Sequence, residues 1–241
     1  MNNVFSSLSY KNGVKDGLPI GLGYLSVSFA FGVQASLCGV PVLVALLISM
    51  TNLTSAGQLA GLEIIARCGS LLEIILTQLV INSRYFLMSF SLSQKLDNSF
   101  DLKSRFFSSF AVTDEIFAVS VFKGQKISNK YFYGLMLLPY VGWTTGTLLG
   151  AIAGDILPLF ISSALGIALY AMFIAIFIPP TMKSRGVLLV VSLSATLSCL
   201  LYYLPVFSGI TSGFKTIISA VVACVITALF FPVKENEDGD N

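Results

Sequence analysis

An all-α bundle of about eight membrane-spanning helices, with seven as the alternative count, is the fold this sequence predicts on three observations. The 241 residues are 55% hydrophobic and only 11% charged, whereas soluble domains carry about 25% charged residues. Apolar residues gather in runs of about 18 to 25, the length that crosses roughly 30 Å of hydrocarbon. No dyad alternation marks a barrel, so helices are left to satisfy the backbone in lipid.

The first span, at 17 to 37, follows Lys11 and Lys15. Its apolar run passes a signal-peptide-like Val33-Gln34-Ala35 and continues to Leu37, so it reads as an uncleaved helix. The second, at 42 to 66, has a polar centre running from Thr51-Asn52-Leu53-Thr54 to Ser55-Ala56-Gly57-Gln58. Such a stretch is a poor helix former. Either it breaks and offers backbone groups to a solute at mid-membrane, or its side chains bond neighbouring helices. Asn52, Ser55 and Gln58 are therefore candidate substrate contacts, and Asn82 on the third span, at 69 to 93, shares the same alternatives.

The fourth span, at 105 to 122, carries Thr113-Asp114-Glu115 near its middle. Two central acids cost about 5 to 7 kcal/mol on the insertion scale, more than the apolar neighbours return, so this segment needs a partner charge, a proton or a wet cavity. Arg84 is that partner: in an antiparallel hairpin of the third and fourth spans it shares one depth with Asp114, roughly 14 Å below the membrane face. The pair is either a lock on the hairpin or part of a substrate- or proton-coupled site, with Asp114 and Glu115 as the proton-coupling candidates. Glu73, three turns away, reads as an interfacial residue.

The fifth span, at 131 to 153, presents Gly142, Gly146, Gly150 and Gly154 every four residues, a seam for close helix packing. Trp143 beside it is an interfacial anchor or a cavity-lining substrate contact. Spans at 159 to 179, 186 to 205 and 213 to 232 complete the set, and the acidic segment 233 to 241 reads as a solvated tail.

With eight crossings and the N-terminus inside, Lys11, Lys15, Arg67, Lys123, Lys126, Lys130, Lys183, Arg185 and Lys234 fall on the cytoplasmic side. Lys95, Lys103, Arg105 and Lys215 fall outside, and both termini are cytoplasmic. The chain reads as one integral membrane domain over 1 to 241. A duplication relates 13 to 122 with 131 to 232, since Pro19, Gly23-Tyr24, Gly32 and Pro41 are echoed by Pro139, Gly142-Trp143, Gly150 and Pro158. A net charge of +2 without a basic tract gives nucleic acid no footing. The sequence has no histidine, and its four cysteines lack paired spacing, so no metal or other cofactor is expected and the thiols read as free.

Taken in order, Gly17-Leu18-Pro19-Ile20-Gly21-Leu22-Gly23-Tyr24, Ser55-Ala56-Gly57-Gln58, Asn82-Ser83-Arg84-Tyr85, Thr113-Asp114-Glu115 and Gly142-Trp143 with Gly146 resemble the AzlC family of bacterial branched-chain amino acid permeases over about residues 13 to 232. The resemblance implies export of branched-chain or other hydrophobic amino acids from the bacterial inner membrane, in complex with a small AzlD-type membrane protein. Its polar positions are Gln58, Asn82, Arg84, Asp114 and Glu115. The chain departs from it at Asn52-Leu53-Thr54, where the family pattern is more apolar or aromatic, and this bears on which substrate is carried. No nucleotide-binding motif is present, so an ion or proton gradient is the expected energy source. Two other classes compete. An acid/base enzyme lacks a nucleophile, metal or cofactor motif, and a non-transporting scaffold or sensor subunit would use the glycine seam and the charges for assembly alone.

Overall fold

The computed structural model describes residues 9–123, 126–154, 156–158 and 184–231, with 160, 164, 167, 174, 178, 181 and 182 between the last two stretches. The expected span at 159 to 179 lies mostly outside the described residues, and the acidic tail wholly so. Among them the chain is helical: α1 (Tyr10–Leu37), α2 (Val42–Thr51), α3 (Ser55–Ala66), α4 (Leu71–Ser93), α5 (Leu102–Ser109), α6 (Asp114–Phe122), α7 (Asn129–Gly154), α8 (Arg185–Tyr203) and α9 (Ser212–Phe230). Five of these, α1, α4, α7, α8 and α9, are long and apolar enough to cross a membrane. Phe86, Leu87, Phe90, Phe106 and Phe107 are 63–74% exposed, a surface that suits lipid rather than water. The residues fall into two compact units, 1–68 with 78–169 and 69–77 with 170–241.

The first unit is built on α1 and α7, which run parallel. Gly21 lies against Leu138 and Gly142, and Gly32 against Thr147 and Gly150, so residue numbers rise together along the seam. The expected glycine seam of α7 therefore packs on α1, whose own glycines let the two backbones touch. A Cβ at Gly150 would collide with the Phe29 carbonyl, whereas one at Gly23 would meet nothing within 4 Å. Gly150→Ala is accordingly expected to destabilise by about 1–3 kcal/mol through overpacking, because backbone cannot yield as a side chain can. Gly23→Ala should be neutral or slightly stabilising, and thermal unfolding in detergent compares the two.

Between α1 and α7 the chain forms two hairpins where two crossings were expected. α2 runs antiparallel to α7: Val40 and Ala45 cluster with Ala151, and Ser49 Oγ lies 2.7 Å from Thr147 Oγ1. After Asn52–Thr54 the chain turns back. Gln58 Nε2 on α3 donates to Ser49 Oγ at 2.9 Å, and Leu62 rejoins the cluster of Phe31, Ala45 and Ala151. Had α2 and α3 continued in one direction, about 13 Å of helix would separate residues 49 and 58. Segment 42 to 66 is therefore re-entrant.

The second hairpin repeats the device from the opposite face. α4 runs antiparallel to α3, Gln78 Nε2 donating to the Gly57 carbonyl at 2.7 Å, and reaches the start of α7, where Leu92 packs with Phe100 and Phe132. Here the Asn129 backbone N–H donates to Ser99 Oγ at 2.9 Å. α5 climbs from this end until Phe110 meets Tyr140 edge-on at 6.0 Å. After the turn at 110–113, α6 descends again: Lys95 Nζ donates to the Val121 carbonyl at 3.2 Å, and Lys123 pairs with Asp16 at 2.6 Å. Segment 105 to 122, too, does not cross.

These two corrections change where the charges fall. Lys95, Lys103 and Arg105, expected on the opposite side from Lys123, Lys126 and Lys130, share one face of the first unit with them and with Lys11 and Lys15. Arg67, at the end of α3, lies at the other face.

In the second unit α8 packs on α9, and Glu73, in the first turn of α4, is 1% exposed. Its Oε1 accepts from the Thr211 hydroxyl at 2.6 Å and the Gly213 N–H at 2.8 Å. The carboxylate thus occupies the positive end of α9, where a negative charge is favoured. The four cysteines are free, as expected.

Candidate functional site

The two hairpin tips meet in the interior of the first unit. Each tip ends on a threonine that caps the returning helix: Thr54 Oγ1 accepts from the Gly57 N–H at 3.2 Å, and Thr113 Oγ1 from the Ile116 N–H at 3.5 Å. The sequence dictates this locally, since threonine is a good N-cap and acids are favoured in the first turn of a helix. Asp114 and Glu115 hold those first-turn positions in α6. Two half-helix N-termini therefore open at one depth.

A cavity of about 110 Å³ lies between the tips, lined by Asn52, Leu53 and Thr54 from the first, Ser109, Phe110, Val112 and Thr113 from the second, and Asn82 and Tyr85 from α4. Asn52 Oδ1 accepts from the Thr54 N–H at 3.2 Å and shapes the first tip. Asn82 Nδ2 donates to Gln78 Oε1 at 2.9 Å, while Asn82 Oδ1 is buried without a hydrogen-bond partner. A buried acceptor left unpaired is costly. It is available to a donor from a solute.

Beside the cavity Arg84 and Asp114 pair at 2.7 Å, the side chains 45% and 48% exposed. Arg84 also donates to the Tyr85 hydroxyl at 3.2 Å. The matched depth expected for this pair holds, through a different geometry: Asp114 sits at a tip, on a helix that runs in the same direction as α4. Glu115 points elsewhere and accepts from the Tyr24 hydroxyl at 2.5 Å.

A continuous chain of contacts then ties the two hairpins together. The Tyr24 ring stands edge-on to Trp143 at 5.2 Å, and Trp143 Nε1 donates to Gln58 Oε1 at 2.9 Å. Gln58 in turn holds Ser49, which is bonded to Thr147. Gln58 and Trp143, expected against a solute, are 3% and 2% exposed and bonded to each other, and neither lines the tip cavity. Trp143 is thereby no interfacial anchor. Ser55 opens α3 half-buried and also stands outside the lining.

Sequence reasoning missed three participants: Tyr24, the Asp16–Lys123 pair with the Tyr131 hydroxyl donating to Asp16 at 2.5 Å, and the break at 110–113. The break had a signal, because a threonine followed by two acids is a helix start wherever it occurs. Asp16 had none, and Tyr24, although it stands in the family-like stretch, gave no sign of its partner, since the partners lie 107 or more and 91 residues away.

A family model described as AzlC protein matches residues 19–157. An uncharacterized membrane protein of Archaeoglobus fulgidus is 33% identical over 194 residues, covering 80% of this chain and 84% of its own length. The inner membrane protein YgaZ of Escherichia coli is 27% identical over 221 residues, covering 87% and 90%. A membrane protein of Helicobacter pylori J99 is 25% identical over 173 residues, covering 70% and 74%. No solved structure matches.

Proposed function

The chain belongs to the AzlC family of membrane proteins, and from that premise we propose that it is a secondary exporter of branched-chain or other hydrophobic amino acids, binding them where the two hairpin tips meet. The observation that carries the reading is the tip cavity with its unpaired Asn82 acceptor, set between two half-helix N-termini. No acid stands in the first turn of α3, so the positive end of that helix, beside Asn52 and Thr54 of the lining, suits a substrate carboxylate. Asn82 Oδ1 suits the ammonium. Gln58 and Trp143 serve this site by holding the first hairpin in place, and Asp114 or Glu115 carries the coupled proton, each next to a side chain that can respond to it.

Eight lysines and arginines on one face of the first unit against Arg67 on the other support placing that face, and the N-terminus, in the cytoplasm. A small AzlD-type membrane protein is the proposed partner.

Counterflow of labelled leucine, valine, isoleucine and methionine tests the reading in vesicles holding this protein, alone and with its small partner. Accumulation of at least one label above protein-free vesicles is the expected result. Folded protein that exchanges none of the four under either condition overturns it in favour of a scaffold.

A further inference from the structure

Below the tip cavity, towards the basic face, lies a second cavity of about 180 Å³ between the lower half of α4 and α5. Its walls are mainly apolar, with Leu92, Leu96, Phe100, Val112 and Phe132 among them. Five polar residues interrupt this lining, Ser89, Ser93, Arg105, Ser108 and Ser109, and two of them stand out. Ser108 is 5% exposed and its Oγ has no hydrogen-bond partner, although a buried hydroxyl normally finds one. Arg105 lies one helical turn before it, on the same face of α5, and makes no ion pair with any described residue.

An apolar cavity of about 150 Å³ is enough to hold a benzene molecule, so this one accepts a branched group of four to six carbons. A guanidinium and an unpaired hydroxyl in the same lining add the elements that bind a carboxylate. Ser109 and Val112 line both this cavity and the tip cavity, so the two adjoin at the non-helical segment of the second hairpin.

We propose that this cavity is a separate acceptor site for small branched aliphatic carboxylates, taking substrate at the basic face before it reaches the tips. The carboxylate meets Arg105 and the Ser108 hydroxyl, and the aliphatic group fills the pocket between Leu92, Leu96 and Phe132. Arg105 reads only the carboxylate here, so the site does not require an ammonium group, in contrast to the tip cavity. As an entry site it rests on the transport reading, but its occupancy can be measured without transport.

The test uses Ser108→Cys in the full-length protein in vesicles, labelled by a small thiol reagent and read by peptide mass spectrometry at position 108, so that the native cysteines remain. Isocaproate has the carboxylate without the amine, and isopentylamine the reverse. At about ten times their Kd, leucine and isocaproate are expected to slow labelling about tenfold, while isopentylamine leaves it unchanged. Arg105→Gln should raise the protecting concentration at least about tenfold, as loss of a charge-assisted hydrogen bond implies. Ser109→Cys is the second reporter if Ser108→Cys does not fold. Labelling at both positions that ignores leucine and isocaproate overturns the site. So does stronger protection by oleate than by isocaproate, which would mark a lipid groove. Intact flux without protection removes this inference and leaves the exporter reading, and protection without any flux does the reverse.

Discussion

Arg84→Ala is expected to lower amino acid exchange about a hundredfold. The guanidinium lies 2.7 Å from Asp114 at the tip of the second hairpin, and without it the carboxylate has no cation beside it. On the insertion scale an acid at mid-membrane costs about 2.5–3.5 kcal/mol, which corresponds to roughly a hundredfold or more. The two side chains are about half exposed, and a pair of that exposure facing bulk water would be worth only about 0–1 kcal/mol. The size of the effect therefore decides which environment the pair occupies. Asp114→Asn should cost a similar factor, and the double variant should recover membrane-extracted protein without recovering exchange. Initial exchange rates normalised to folded protein measure this. Near-native exchange from both single variants would remove the pair from the mechanism.

Gln58→Leu is expected to destabilise by about 2–4 kcal/mol, because it leaves the buried Trp143 indole N–H without an acceptor and takes a donor from Ser49. For a chain of this length that corresponds to a fall of roughly 5–15 °C in the unfolding midpoint. Trp143→Phe removes the indole donor, so adding it to Gln58→Leu should cost less than the sum of the two single changes, since the residues form one network. Melting curves in detergent with and without leucine separate the roles. An unchanged midpoint combined with lost leucine stabilisation would return Gln58 to direct substrate contact.

How much of this was legible beforehand varies with the range of the interaction. The break at Asn52–Thr54 could be seen because its cause is local: Asn and Thr side chains compete with helical hydrogen bonding. The Arg84–Asp114 pairing followed from the cost of charge in lipid, which limits the partners available. The expected partner was right although the expected hairpin was not. Taking 42 to 66 as a crossing, and preferring eight spans to the seven in which 105 to 122 does not cross, were two errors of the same kind, because an apolar run long enough to span also suffices for two half-helices that turn back. Each error inverts the side of everything after it. Together they cancel for α7 while misplacing Arg67, Lys95, Lys103 and Arg105.

Composition and run length alone determined that the chain is a helical membrane protein, and the placement of its few polar residues marked where the interior would be polar. Those properties follow from the solvation of each residue, which the sequence carries position by position. Direction was decided only in three dimensions: that α2 and α5 reverse at their tips, that α1 and α7 lie parallel along glycines, and that Tyr24 and Trp143 join the two hairpins. Reversal and contact are relations between segments far apart in the chain, as with Tyr24 and Trp143, and no local free energy distinguishes a half-helix that returns from one that continues.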